Sequence, residues 1–69
     1  MKLTKKRALA QMAELICLYD GEYRKGNFVF FLDGGEVYVR SRFGNMVVSE
    51  KPLSAYDKDT VMKFYEKLM

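Results

Sequence analysis

Residues 28–42 read FVFFLDGGEVYVRSR. Two apolar runs flank a glycine pair, the pattern of a β-hairpin. Gly34 and Gly35 can take positive φ at both central turn positions without steric penalty, as a two-residue hairpin loop requires. That turn fixes a register: Asp33 with Glu36, Leu32 with Val37, Phe31 with Tyr38, Phe30 with Val39 and Val29 with Arg40. Side chains alternate along a strand, so Phe28, Phe30, Leu32, Val37 and Val39 share one face, the expected core side. Val29, Phe31, Tyr38, Arg40 and Arg42 share the other.

Downstream, Gly44-Asn45 marks a second turn that pairs Phe43 with Met46, Arg42 with Val47 and Ser41 with Val48. Phe43, Met46 and Val48 join the core side, and Val47 joins the mixed face. Two independent turns thus give one partition of the side chains, the agreement between levels that marks a foldable sequence. Upstream, Lys25-Gly26 fits a tight turn after a short strand at 22–24. An irregular loop is the alternative for that segment.

Helices flank the strands. Residues 4–20 carry Ala8, Leu9, Met12, Ala13, Leu15, Ile16 and Tyr19 on one broad face at about 100° per residue. Arg7, Gln11, Glu14 and Leu18 lie opposite, and Cys17 falls at the edge of the apolar face, where a packed thiol is expected. Thr4 suits the N-cap and Gly21 the left-handed stop after Asp20. After Pro52, Asp57 suits the N-cap of a last helix, with Ser54 as the alternative. Tyr56 is placed to staple onto Val61, and Val61, Phe64, Tyr65 and Leu68 form its apolar stripe. The order is α-β-β-β-α: a small two-layer α+β domain, an antiparallel meander with both helices on one face. The other sheet face is left to solvent or to a partner.

The chain has 69 residues, 49% of them apolar, the composition of one globular domain spanning 1–69. Its initial methionine and its length fit a complete small protein. A single cysteine excludes an intrachain disulfide and points to a reducing compartment, so a cytoplasmic location is expected. No apolar run has the length of a membrane span, so no membrane partner is expected. The net charge is +3, and it is uneven: residues 1–25 hold six basic and three acidic side chains, residues 26–69 six of each. The excess lies at the start, where Lys5, Lys6 and Arg7 could make electrostatic contact with nucleic acid or an acidic protein. A solvated helix start is the plainer account of them.

Catalytic chemistry is poorly served. There is no histidine, so the commonest general base and metal ligand is missing. One cysteine makes neither a zinc site nor a Cys-His nucleophile. Neither glycine turn has the spacing of a phosphate loop. Asp33 and Glu36 are explained by the turn they flank. No enzyme, cofactor or metal is expected.

The α-β-β-β-α order resembles that of double-stranded-RNA-binding domains. In that family the loop between the first two strands carries a histidine, and the last helix begins with a lysine cluster on the phosphates. Here those places read Asp33-Gly34-Gly35-Glu36 and Asp57-Lys58-Asp59, both acidic, so the resemblance is one of topology and transfers no site.

The mixed face remains: Val29, Phe31, Tyr38, Arg40, Arg42 and Val47. One reading makes Phe31 and Tyr38 a cross-strand pair that supports the sheet, with arginines over it. The other makes the face a binding surface, since Phe, Tyr and Arg are enriched at interface centres. Another protein is the expected partner, and a second copy stacking sheet on sheet is one form of it. RNA or a single strand, stacking on the aromatics with help from the basic start, is the alternative. Small chains without chemistry of their own are commonly accessory, adaptor or inhibitor proteins, including those of phages and mobile elements.

Overall fold

A computed structural model describes residues 3–41 and 49–69. The Gly44-Asn45 turn and the expected placements of Arg42, Phe43, Met46, Val47 and Val48 lie outside the described residues. The elements are helix α1 (Lys5–Leu18), strands β1 (Glu22–Lys25), β2 (Phe28–Asp33) and β3 (Glu36–Ser41), a 3-10 turn at Leu53–Ala55, and helix α2 (Lys58–Leu68). The strands form one antiparallel sheet in the order β1-β2-β3.

The central hairpin has the register that its Gly-Gly turn implies, from Asp33↔Glu36 through Phe31↔Tyr38 to Phe28↔Ser41. Gly34 and Gly35 sit at φ of +60° and +80°, where a side chain would be strained. The segment upstream is a strand rather than a loop, and it runs to Lys25. Lys25 pairs with Phe28, so the turn is Gly26-Asn27, one residue later than expected. Gly26 supplies the positive φ, at +59°.

The core lies on the side of the sheet that the alternation indicates. Phe30, Val37 and Val39 pack with Ala8, Met12 and Ile16 of α1, Val61 and Leu68 of α2, and Leu53 of the 3-10 turn. Phe64 meets Phe28 and Phe30 edge-on, at centroid distances of 6.0 and 6.3 Å. Both helices therefore cover one face in a two-layer α+β arrangement.

The buried line of α1 is narrower than its apolar wheel. Ala8, Met12 and Ile16 recur every fourth residue and are fully buried, while Leu9, Ala13 and Leu15 are half-buried flanks. Cys17 is exposed rather than packed, because it lies one residue, about 100°, off that line. Tyr19, expected on the apolar face, is 53% exposed. It is the C-cap, with φ −111° and ψ 37°, so the helical wheel no longer sets its direction. Asp20 and Gly21 both take left-handed conformations, and the Gly21 N–H donates to Ile16 O at 3.0 Å. This satisfies an orphan carbonyl at the stop that Gly21 marks.

The caps follow the sequence signals. Thr4 Oγ1 accepts from the Arg7 N–H at 3.2 Å, and Asp57 Oδ1 accepts from the Thr60 N–H at 3.1 Å. Hydrogen bonds from the Thr60 side chain and then its backbone hold the Asp57 carboxyl below its ordinary value. At the other end of α2, Lys25 Nζ donates to Leu68 O at 3.2 Å, a cation on the negative end of the helix dipole. Tyr65 Oη donates to Gln11 Oε1 at 2.7 Å, so Gln11, on the polar side of the wheel, ties the two helices together.

One structural residue carries no sequence signal. Ser49 is buried against the outer edge of β3. Its Oγ accepts from the Val39 N–H at 2.9 Å and donates to Val39 O at 3.2 Å. Its own N–H donates to the same carbonyl at 2.9 Å. The edge of β3 at Val39 is thereby closed.

Candidate protein-binding face

The face away from the helices is built from three strands. By register, one row across it is Glu22–Phe31–Tyr38 and the next is Arg24–Val29–Arg40. Phe31 and Tyr38 stack nearly parallel, with centroids 5.5 Å apart and planes 14° off. The Arg40 guanidinium lies over the Phe31 ring at 5.8 Å, a cation–π distance. From there it reaches diagonally across β2 to Glu22, with Nη2 2.9 Å from Oε1. Arg24 Nε stands 3.9 Å from the same carboxylate oxygen.

Of the residues expected here, the structure brings Val29, Phe31, Tyr38 and Arg40 together. Phe31 and Tyr38 are half-buried and Arg40 is exposed. Val29 requires a correction. It is on this face, but only 1% exposed, so it offers no surface to a partner. Its neighbours across both ladders are arginines, whose apolar stems are long enough to cover a valine while the charged heads stay in water. Arg42 and Val47 lie outside the described residues.

Lys5, Lys6 and Arg7 are not part of this face. They form the first turn of α1, which packs on the opposite side of the sheet. Lys6 lines a shallow hollow of about 220 Å³ with Leu9, Ala13, Glu36 and Ser54, and Ser54 Oγ donates to Glu36 Oε2 at 2.6 Å. The basic start thus borders the acidic hairpin turn, a sheet thickness away from the aromatic stack.

Glu22 and Arg24 are the members of the face that sequence reasoning missed. Taking residues 22–25 as a strand in phase with β2 would have placed both here and Tyr23 on the core side.

Among the described residues, no group of three or more Cys, Asp or Glu side chains is placed to hold a metal ion, and no helix is long and apolar enough to cross a membrane. No protein-family model matches the chain, and searches of curated proteins and of solved structures find no match.

Proposed function

We propose that this chain is a small non-catalytic protein-binding module of the accessory or inhibitor type, acting in the cytoplasm. Its contact surface is the sheet face of Phe31, Tyr38 and Arg40. The observation that carries this reading is the Phe31–Tyr38 stack under Arg40 on the side away from both helices. Stacked rings are rigid, so little rotamer entropy is lost when a partner covers them. An arginine already held over a ring and anchored by Glu22 is preorganised in the same way. Aromatic and arginine side chains of this kind supply most of the binding energy at protein interfaces.

Charge favours a protein over a nucleic acid. The charged side chains in the two rows that carry the aromatic stack are Glu22, Arg24 and Arg40, a balance of +1. Both arginines already face a carboxylate. Lys5, Lys6 and Arg7, which would have to supplement them, sit on the other layer. Tight phosphate binding needs several uncompensated cations along one track.

The test is a pull-down from the native host with the tagged chain, with and without nuclease. A protein recovered equally under both conditions supports the reading. Recovery that disappears with nuclease assigns the face to nucleic acid.

A further inference from the structure

We propose that the outer edge of β1 is a self-association site, where two copies of this chain pair antiparallel about Tyr23 and each Arg24 enters the hollow beside the other copy's Glu22. The two edges of the sheet differ. At β3 the backbone groups of Val39 are taken by Ser49. At β1 the ladder leaves groups pointing outward. Leu32 N–H donates to Gly21 O at 3.0 Å, so by antiparallel alternation Gly21, Tyr23 and Lys25 bond β2, while Glu22 and Arg24 aim their backbone groups away from the sheet. The Glu22 N–H donates to Tyr19 O at 3.3 Å, which leaves the Glu22 C=O and both backbone groups of Arg24 to a partner strand. Such an edge is a template for another strand.

The sequence of the edge specifies which strand. Residues directly opposite in an antiparallel pair lie on the same face of the joined sheet. Glu22-Tyr23-Arg24 set against itself about Tyr23 puts Glu22 opposite Arg24, Tyr23 opposite Tyr23, and Arg24 opposite Glu22. In this register each Arg24 N–H meets the other copy's Glu22 C=O, two ladder hydrogen bonds related by the two-fold axis. Both charge pairs are attractive, and the contact is isologous, as a two-fold axis demands.

A second observation marks the same place. An open hollow of about 450 Å³ runs along this edge, lined by Tyr19, Asp20, Glu22, Tyr23 and Arg24. The carboxylates of Asp20 and Glu22 are the chemistry that receives a guanidinium. In the paired register that guanidinium is Arg24 of the second copy. Leu18 and Tyr19, 77% and 53% exposed, are apolar surface that the monomer leaves uncovered at the adjoining end of α1.

The experiment is sedimentation velocity over a concentration series. The parent should self-associate. Arg24→Glu and Glu22→Arg should each weaken association by at least about tenfold, because two attractive cross-strand pairs become two repulsive ones. Mixing the two variants should give a one-to-one heterodimer, since their charges again alternate correctly. Arg24→Pro should abolish association with an unchanged circular dichroism spectrum, because its lost N–H points off the edge. That variant and Arg24→Glu suffice if Glu22→Arg, which loses the Arg40 pair, does not fold. A parent that stays monomeric up to about 1 mM, where even a millimolar dissociation constant would show, overturns the proposal. So does association that survives both Arg24 variants, or that is lost instead in the Tyr38→Ala, Arg40→Ala variant, which would place the contact on the sheet face.

Discussion

Phe30 and Phe31 are neighbours of the same type on opposite sides of one strand, and truncating each in turn measures the layering directly. Phe30 is fully buried between Phe28 and Phe64, with ring centroids 6.4 and 6.3 Å away. Phe30→Ala should cost about 3–5 kcal/mol, the transfer term plus the cavity left behind. At roughly 0.05–0.15 kcal/mol per residue, a chain of this length has only about 3–10 kcal/mol to lose, so the variant should be unfolded or close to it. Phe31 is half-exposed and rests on Tyr38 and Arg40. Phe31→Ala removes a stacked pair with a value of about 0.5–1.5 kcal/mol and a solvent-facing cation–π contact of about 0.5–1 kcal/mol, with no enclosed cavity. Its loss should therefore stay at about 1–2.5 kcal/mol. Urea unfolding followed by circular dichroism reads both, with unchanged slope as the check on two-state behaviour. Equal losses, or a larger loss at Phe31, would refute the assignment of the core face.

Three further outcomes follow from single residues. Ser49→Ala leaves the Val39 N–H and C=O without their hydroxyl partner in a buried place, and should destabilise by about 1–3 kcal/mol in the same urea assay. Asp57 has a folded-state pKa below its ordinary value, so its capping contribution is complete above about pH 4 and is lost as pH falls through the lowered value. Asp57→Asn should remove that part of the acid dependence of the melting temperature, and an unchanged acid limb would count against the cap. The exposed thiol of Cys17 should react with a thiol reagent in the native state at a rate close to that of the unfolded chain, and Cys17→Ala should change stability by less than about 0.5 kcal/mol.

The hairpin was fully legible because three signals agree on it: glycines that need positive φ, period-two alternation, and an apolar set that lands on one face. The helix caps were legible for a similar reason, as Thr4 and Asp57 each stand one residue before the first turn. The turn at Gly26-Asn27 was misplaced by one residue, since a single glycine leaves its position in the turn open. Two such residues, Gly34 and Gly35, leave no choice. Cys17 and Tyr19 were misjudged because a wheel gives direction but neither the width of the buried line nor where the helix ends. Val29 was placed on the correct face and still misjudged, since alternation reports direction and not what long neighbouring side chains cover. The other members of the outer sheet face, Glu22 and Arg24, became visible only with β1 in register. Ser49 closes a strand edge from a segment with no periodicity, and such a contact leaves no mark in the sequence.

The most direct measurement of the central claim is the affinity of the recovered protein partner for the parent chain and for the Tyr38→Ala, Arg40→Ala variant, by calorimetric titration at about 50 and 200 mM salt. Neither residue belongs to the core cluster, so the variant should keep the parent's fold. The variant should lose at least about 2 kcal/mol of binding free energy, with a weak dependence on salt. Equal affinities for parent and variant would contradict it, and would leave Phe31 and Tyr38 as a pair that serves the sheet alone.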